Sequence, residues 1–228
     1  MKCIQHRTGY RFSIDAVLLG NFVRPRPGEK ILDLGCGCGV IPLILAYRTP
    51  NIRITGLEIQ PELAGLAQRN AALNGWQDRI EIITGDLREI GACVEPGSFD
   101  VVVSNPPYRK PGSGRINPAT EQALARHEQT ADLASVVKAA CWSVRKRGRA
   151  VFIYPASRGA AVITELTNSG LEPKKILAIF SYPGAAASLL IIEAVKSGGE
   201  ELTMLPPFYI YEKKCGSYSK EMMAFYKP

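Results

Sequence analysis

Residues Lys30–Val40 read KILDLGCGCGV, a short apolar run, an acid, and then glycine at Gly35, Gly37 and Gly39. Apolar residues of this length ending at a glycine cluster predict a β-strand, Lys30–Leu34, that leaves the sheet in a tight turn. Glycine lets the backbone turn sharply and lets a ligand approach the main chain closely, at the carboxyl edge where open α/β sheets bind ligands. The spacing is G-x-G-x-G. A dinucleotide fingerprint asks for its third glycine at position 40, which is Val40, so a nicotinamide cofactor is disfavoured.

Strand and helix signals alternate outward from this turn. Val40–Arg48 reads as a helix with Pro42 in its first turn, where proline is tolerated. Ile52–Glu58 is the next strand, and Pro61 opens a helix through Ala72 that stops at Asn74-Gly75. Ile80–Thr84 and Phe99–Ser104 are the third and fourth strands. Beyond a polar stretch to about Glu128, the pattern predicts a helix over Ala131–Arg147, a strand over Ala150–Tyr154 and a helix over Ala160–Ser169. Lys175–Ser181 and Ser188–Val195 close the series as strands joined through Tyr182-Pro183-Gly184. Strands separated by helix-length segments imply a mostly parallel, doubly wound α/β sheet, and the closing strand–turn–strand implies one antiparallel edge. No repeat or low-complexity tract interrupts it.

The whole chain bounds the function. Its 228 residues suit one domain spanning 1–228, and 46% hydrophobic with 21% charged residues is ordinary globular composition. No run approaches the roughly 18 apolar residues of a membrane span, and the polar start MKCIQHRTGYRF lacks a secretory h-region, so a cytoplasmic protein without a membrane partner is expected. Six cysteines lie scattered, with Cys36 and Cys38 as a C-x-C pair. Neither they nor His6 and His127 make a metal pattern; free thiols and no metal are expected. The net charge of +7 is compatible with a polyanionic partner. Arg145, Lys146, Arg147 and Arg149 concentrate it, and they read first as a solvated helix C-terminus. The oligomeric state is not encoded legibly, a monomer being the default.

Acids end the first three strands. Asp33 precedes the glycines, Glu58 ends the second strand, and Asp86 follows the third in Thr84-Gly85-Asp86-Leu87. An acid at Glu58 can accept from both hydroxyls of a ribose, and Asp86 from an exocyclic amine of adenine. Singly, each is a helix N-cap or turn residue. In succession behind a glycine loop they compose a nucleoside-binding set.

The fourth strand runs into SNPPYRK, Ser104–Lys110. Two prolines cannot donate to a ladder and fix φ near −65°, so they terminate the strand. They also stiffen the presentation of the Asn105 amide, the Pro106 carbonyl and the Tyr108 ring.

Asp33-Leu34-Gly35-Cys36-Gly37-Cys38-Gly39, Glu58, Gly85-Asp86 and Asn105-Pro106-Pro107-Tyr108, in this order, resemble the class I S-adenosylmethionine-dependent methyltransferases over roughly Lys30 to Val195. The resemblance implies a seven-stranded Rossmann-like sheet with an antiparallel last strand. It implies S-adenosyl-L-methionine as cofactor, its methionine part at Asp33, Gly35, Gly37 and Gly39, its ribose at Glu58, and its adenine at Asp86 and Leu87. Ile59 and Asn105 are further cofactor contacts on this alignment. A catalytic Asn105-Pro106-Pro107-Tyr108 implies methylation of a planar nitrogen, the N6 amine of adenine or the side-chain amide of glutamine. Such a nitrogen delocalises its lone pair and is a poor nucleophile. N–H bonds accepted by the Asn105 oxygen and the Pro106 carbonyl favour a more tetrahedral nitrogen, and Tyr108 can stack on a base, a contact worth about 1–3 kcal/mol.

Gln5 with Arg7–Leu19, then Ala125-Arg126-His127-Glu128, then the tail Tyr209–Tyr226 resemble the bacterial adenine-N6 methyltransferases of valine tRNA, which act beside the anticodon. That resemblance implies tRNA as partner, with Tyr10, Phe12, Arg109, Lys110, Arg126 and His127 as substrate-binding candidates. The layout is then an N-terminal cap segment (1–28), a catalytic core (30–196) and a C-terminal tail (197–228). Tyr10 and Phe12 precede a helix of about Ser13–Phe22 and either fold over the cofactor or seal the sheet. Loop cations at Arg109–Arg126 serve phosphate contacts or plain solubility. Two other readings stay open, a release-factor-type protein-glutamine methyltransferase and a cofactor-binding RNA module without turnover. Which RNA and which adenine are not legible.

Overall fold

The computed structural model describes residues 1–5, 12–106 and 133–226. Its centre is a sheet of β1 (Lys30–Leu34), β2 (Arg53–Glu58), β3 (Ile80–Thr84), β4 (Phe99–Ser104), β5 (Val144–Pro155), β6 (Leu171–Phe180) and β7 (Ala187–Lys196). The spatial order is β3-β2-β1-β4-β5-β7-β6, with β1 through β5 all parallel to one another. The strand β7 is antiparallel to both β5 and β6. The expected antiparallel strand is therefore present but is not an edge: it is inserted between two parallel strands. The reversal follows from Tyr182-Pro183-Gly184, where Gly184 takes φ 89° and the Ala185 N–H donates to the Tyr182 carbonyl.

Helices cover both faces, as apolar parallel strands require. On one face α1 (Ile14–Phe22), α2 (Val40–Arg48) and α3 (Pro61–Leu73) bury a cluster including Leu19, Leu45, Ile54 and Val103. On the other, the short α4 (Ile90–Cys93), α5 (Leu133–Ser143) and α6 (Gly159–Asn168) bury Leu32, Val102, Val136, Phe152 and Leu166. Helix α2, VIPLILA, is apolar all round and correspondingly buried on every side.

Two departures from the expected pattern have physical causes. Helix α5 ends at Ser143, and Val144–Arg149 belongs to β5. Val144 pairs with Phe99, the register then shifts, and Arg147 takes φ 63° within the irregularity. Tertiary ion pairs hold the basic run: Arg145 to Asp100 at 2.5 Å and Arg149 to Glu29 at 2.7 Å. The junction of α5 and β5 receives Lys196 instead, whose Nζ donates to the carbonyls of Cys141 in the last turn of the helix and Val144 at the start of the strand. The basic run is thus a bulged strand, not a helix C-terminus.

The tail also adds to the sheet beyond seven strands. Thr203–Met204 (β8) and Phe208–Tyr209 (β9) pair in parallel with β6, and a last helix, α7 (Lys220–Ala224), follows. Rings of Phe208 and Phe225 stack at 5.5 Å, as do Tyr211 and Tyr218 at 5.2 Å, packing this tail onto the α1–α2 face. Among the described residues no helix is long and apolar enough to cross a membrane.

Candidate functional site

Register brings the candidate residues to one edge. Leu34 lies opposite Leu57 on one side and Ser104 on the other, and Glu58 lies opposite Thr84. Four strands therefore end side by side, and their next residues, Gly35, Ile59, Gly85 and Asn105, emerge at the same carboxyl edge. Backbone bonds weld these exits together. The N–H groups of Gly35 and Cys36 donate to the Leu57 carbonyl at 2.8 and 3.0 Å, and that of Gly85 to the Glu58 carbonyl at 3.0 Å. The Ser104 hydroxyl, fully buried, donates to the Leu34 carbonyl at 2.9 Å and holds the exit of β4 against the glycine loop.

The loop itself turns through three left-handed glycines, Gly35, Gly37 and Gly39, with φ of 75°, 55° and 81°. They do different work. A Cβ on Gly35 would meet nothing within 4 Å, so that face is open to a ligand, whereas one on Gly39 would stand 3.0 Å from the Ala67 Cβ, where α2 crosses α3.

Asp33 is fully buried, and neither carboxylate oxygen has a hydrogen-bond partner among the described residues. Burial first, then the charges of Glu58 and Cys38, push its pKa well above the usual carboxylate range. An orphaned buried acid is costly unless something fills its lone pairs. Glu58, nearly buried, accepts from the Gly37 N–H at 2.8 Å through Oε2 and from the Gln60 N–H at 3.0 Å through Oε1. Oε1 also accepts a long bond from the Gln60 Nε2 at 3.4 Å, whereas Oε2 retains a further lone pair, so a hydroxyl can be added there without breaking the loop contact.

Asp86 has a partner of its own. It caps the short helical turn Leu87–Glu89, accepting from the Arg88 N–H at 2.9 Å, and forms a bidentate pair with the Arg88 guanidinium. That side-chain contact to Arg88 is the main reason its pKa lies below the usual range. Leu87 stands beside it, half-buried.

At the exit of β4, Asn105 is half-buried and Pro106 buried. Phe12 packs, partly buried, on the α1–α2 core cluster. Pro107, Tyr108, Arg109, Lys110, Arg126, His127 and Tyr10 lie outside the described residues. Among the described residues no cluster of histidine, cysteine and acids suits a metal ion.

One functional contact escaped the sequence reading. Asn70, fully buried on α3, donates to the Cys38 carbonyl at 2.9 Å and so fixes the far side of the glycine loop. A polar residue on the inward stripe of α3, beside Leu66, Ala67 and Ala71, was the available signal. Taken together, these acceptors suit a ligand with an ammonium for Asp33, hydroxyls for Glu58, and a thin segment lying on the open face of Gly35.

The comparisons agree with this geometry. A family model described as the methyltransferase small domain matches residues 13–138. A Porphyromonas gingivalis protein named tRNA1(Val) (adenine(37)-N6)-methyltransferase is 37% identical over 154 residues, 65% of this chain and 60% of that relative. A Glaesserella parasuis protein of the same name is 30% identical over 189 residues, 73% of this chain and 74% of its own. The chain thus spans about 60% of the length of the first relative and about three quarters of the second. A crystal structure from Agrobacterium tumefaciens, of a protein described as a predicted O-methyltransferase, superposes with a TM-score of 0.74 at 22% identity. It covers 92% of this chain and 94% of its own, a likeness of fold.

Proposed function

Because this chain belongs to the methyltransferase small domain family, we propose that it is an S-adenosylmethionine-dependent N-methyltransferase whose acceptor is the N6 amine of an adenine in tRNA, beside the anticodon of valine tRNA. The observation that carries the cofactor reading is the orphaned, buried carboxylate of Asp33 beside the open face of Gly35. S-adenosylmethionine has the ammonium and the ribose hydroxyls that these acceptors suit, and when bound it supplies an electrophilic methyl on a sulfonium.

The chain's own residues then bind and orient. Asp33 accepts the ammonium and keeps its charge once paired, Glu58 receives a hydroxyl through the spare lone pair of Oε2 and a second by displacing the long Gln60 Nε2 contact on Oε1, and Leu87 offers an apolar surface to a base. Asn105 and Pro106, at the exit of the neighbouring strand, accept the two N–H bonds of the target amine. That contact directs the nitrogen lone pair toward the Gly35 side of the edge, where Asp33 and Glu58 hold the donor. The amine loses its proton after transfer, so no strong base is needed, and most of the rate comes from positioning. Adenine rather than glutamine is favoured by the names of both relatives, and an unpaired anticodon-loop base is the kind an enzyme can unstack at low cost.

The test is product identification. The protein is incubated with methyl-labelled cofactor and either bulk tRNA or a release factor, and each acceptor is then digested. N6-methyladenosine from tRNA is expected; label on glutamine overturns the acceptor, and no transfer to either overturns the enzyme.

A further inference from the structure

Asn70 joins the N-terminal segment to the glycine loop. Its Oδ1 accepts from the Ile4 N–H at 2.7 Å, and its Nδ2 donates to the Ile4 and Cys38 carbonyls, both at 2.9 Å. An amide side chain offers one oxygen that accepts and two N–H groups that donate. Ile4 therefore takes the oxygen and one N–H, and Cys38 takes the other. One helical turn on, Asn74 clamps Lys2 in the same two-way manner, accepting from its N–H at 2.8 Å and donating to its carbonyl at 2.7 Å. Asn74 Nδ2 also donates to the Asn70 carbonyl at 2.8 Å, which joins the two clamps.

The two-way bond to Ile4 does more than dock a segment. Turned over, the Asn70 amide would point its oxygen at the Cys38 carbonyl, an acceptor facing an acceptor. Ile4 opposes that orientation, because its N–H is met only by the oxygen and its carbonyl only by an N–H. Cys38 in turn follows Gly37, whose N–H is held by Glu58 at 2.8 Å. The loop is thus fixed at adjacent residues, by the acid that ends β2 and by an amide on α3.

We propose that Asn70 is a positioning residue for S-adenosylmethionine and that Lys2–Ile4 sets its orientation. The docked segment orients the amide, the amide holds the Cys38 carbonyl, and the loop keeps the shape that receives the cofactor. The inference rests on the cofactor reading and on no particular methyl acceptor. A loop released at Cys38 populates other shapes, and its apparent affinity falls with the fraction that stays competent. Such coupling is reciprocal, so a bound cofactor also tightens the hold on the segment.

The experiment titrates S-adenosylmethionine into the full chain and its variants by calorimetry, which reads Kd and the competent fraction of protein separately. Asn70→Ala is expected to raise Kd by about three- to tenfold, the worth of a hydrogen bond between neutral groups. Ile4→Pro lacks the N–H that Oδ1 accepts but leaves Asn70 and the loop in place, and it is expected to raise Kd as well. The double variant is expected to match Asn70→Ala alone, since both changes break one chain of contacts. In the parent, saturating cofactor is expected to slow hydrogen exchange at the Ile4 amide. Ile4→Pro and the exchange measurement decide the matter even where Asn70→Ala fails to fold. A merely structural Asn70 would lower the competent fraction and leave Kd at the parent's value, and that result overturns the inference. So does Ile4→Pro with the parent's Kd, additivity of the two substitutions, or an Ile4 amide whose exchange ignores the cofactor. A parent chain that binds no S-adenosylmethionine removes the cofactor reading itself, and this inference with it.

Discussion

The N–H of Gly37 donates to Oε2 of Glu58 at 2.8 Å, so the acid at the end of β2 shapes the glycine loop of β1 directly. Strand-end acid and loop are one unit, and a change at either is felt at both.

Glu58→Gln separates these roles from mere size. The amide offers one oxygen where the carboxylate offers two, so an NH2 group must face either the Gly37 or the Gln60 N–H. Hydrogen bonds to charged groups contribute about 1.5–3 kcal/mol, and leaving a donor facing a donor costs a similar amount. Calorimetry is expected to show weaker binding of S-adenosylmethionine by about tenfold or more, since each tenfold is about 1.4 kcal/mol. Thermal denaturation without cofactor is expected to show a lower Tm as well. An unchanged Tm and affinity would remove Glu58 from the loop.

Asp33→Asn has opposite effects on stability and on binding. The folded pKa of Asp33 lies well above the unfolded value of about 3.9, so between the two the folded state holds the extra proton. Stability contributed by this group is present below pH of about 4 and is lost as pH rises toward the folded pKa. Asparagine removes that loss. Denaturation across pH is expected to show the cofactor-free variant at least as stable as the parent at neutral pH, with a flatter pH dependence above about 4. Its affinity for the cationic cofactor is expected to fall, because the ammonium loses its counter-charge. A variant that binds cofactor as well as the parent would contradict the role given to Asp33.

Much of this was legible because it is local. The Asp33–Gly39 turn, the acids at Glu58 and Asp86 and the stop at Asn105-Pro106 lie next to the strands that place them, and those strands have clear apolar runs. The fold class, with its reversed strand, followed from the alternation and from Tyr182-Pro183-Gly184. The basic run was misread because Val144 and the cations after it continue a helical pattern well. Only the pairing of Val144 with Phe99, and of Arg145 with Asp100, turns them into a strand. The position of β7 between β5 and β6 was equally hidden, since a hairpin signal does not say which strand its second arm joins. The Asn70 clamp depends on residues 66 positions apart, beyond any local period.

Gly39→Ala tests the structural part of the loop. The residue sits at φ 81°, and its new methyl would stand 3.0 Å from the Ala67 Cβ, so both backbone strain and helix crowding oppose it. A strained backbone of this kind costs about 1–3 kcal/mol. For a chain of this size, each kcal/mol shifts Tm by about 2–4 °C. A loss of several degrees is expected, and Gly39→Ala combined with Ala67→Gly is expected to recover part of it by relieving the contact. No recovery would show that conformation alone sets the requirement.

Asn105→Ala tests the acceptor side without disturbing the donor side. Asn105 follows Ser104, whose hydroxyl keeps β4 anchored to Leu34 whatever side chain comes next, so the strand end is expected to persist. Removing the amide takes away one of the two groups proposed to receive the target amine, while Asp33, Glu58 and the glycine loop keep their contacts. Loss of one preorganised hydrogen-bonding group in a catalytic site typically costs about 10²–10³ in rate. Single-turnover methyl transfer to tRNA is expected to slow by that order, with the cofactor Kd changing by less than about threefold, below 1 kcal/mol. Asn105→Gln is not expected to rescue, since one added methylene displaces the oxygen from the place the strand end gives it. Equal losses of transfer and of cofactor affinity would mean that Asn105 holds the cofactor, and the planar nitrogen would then need another acceptor at this edge.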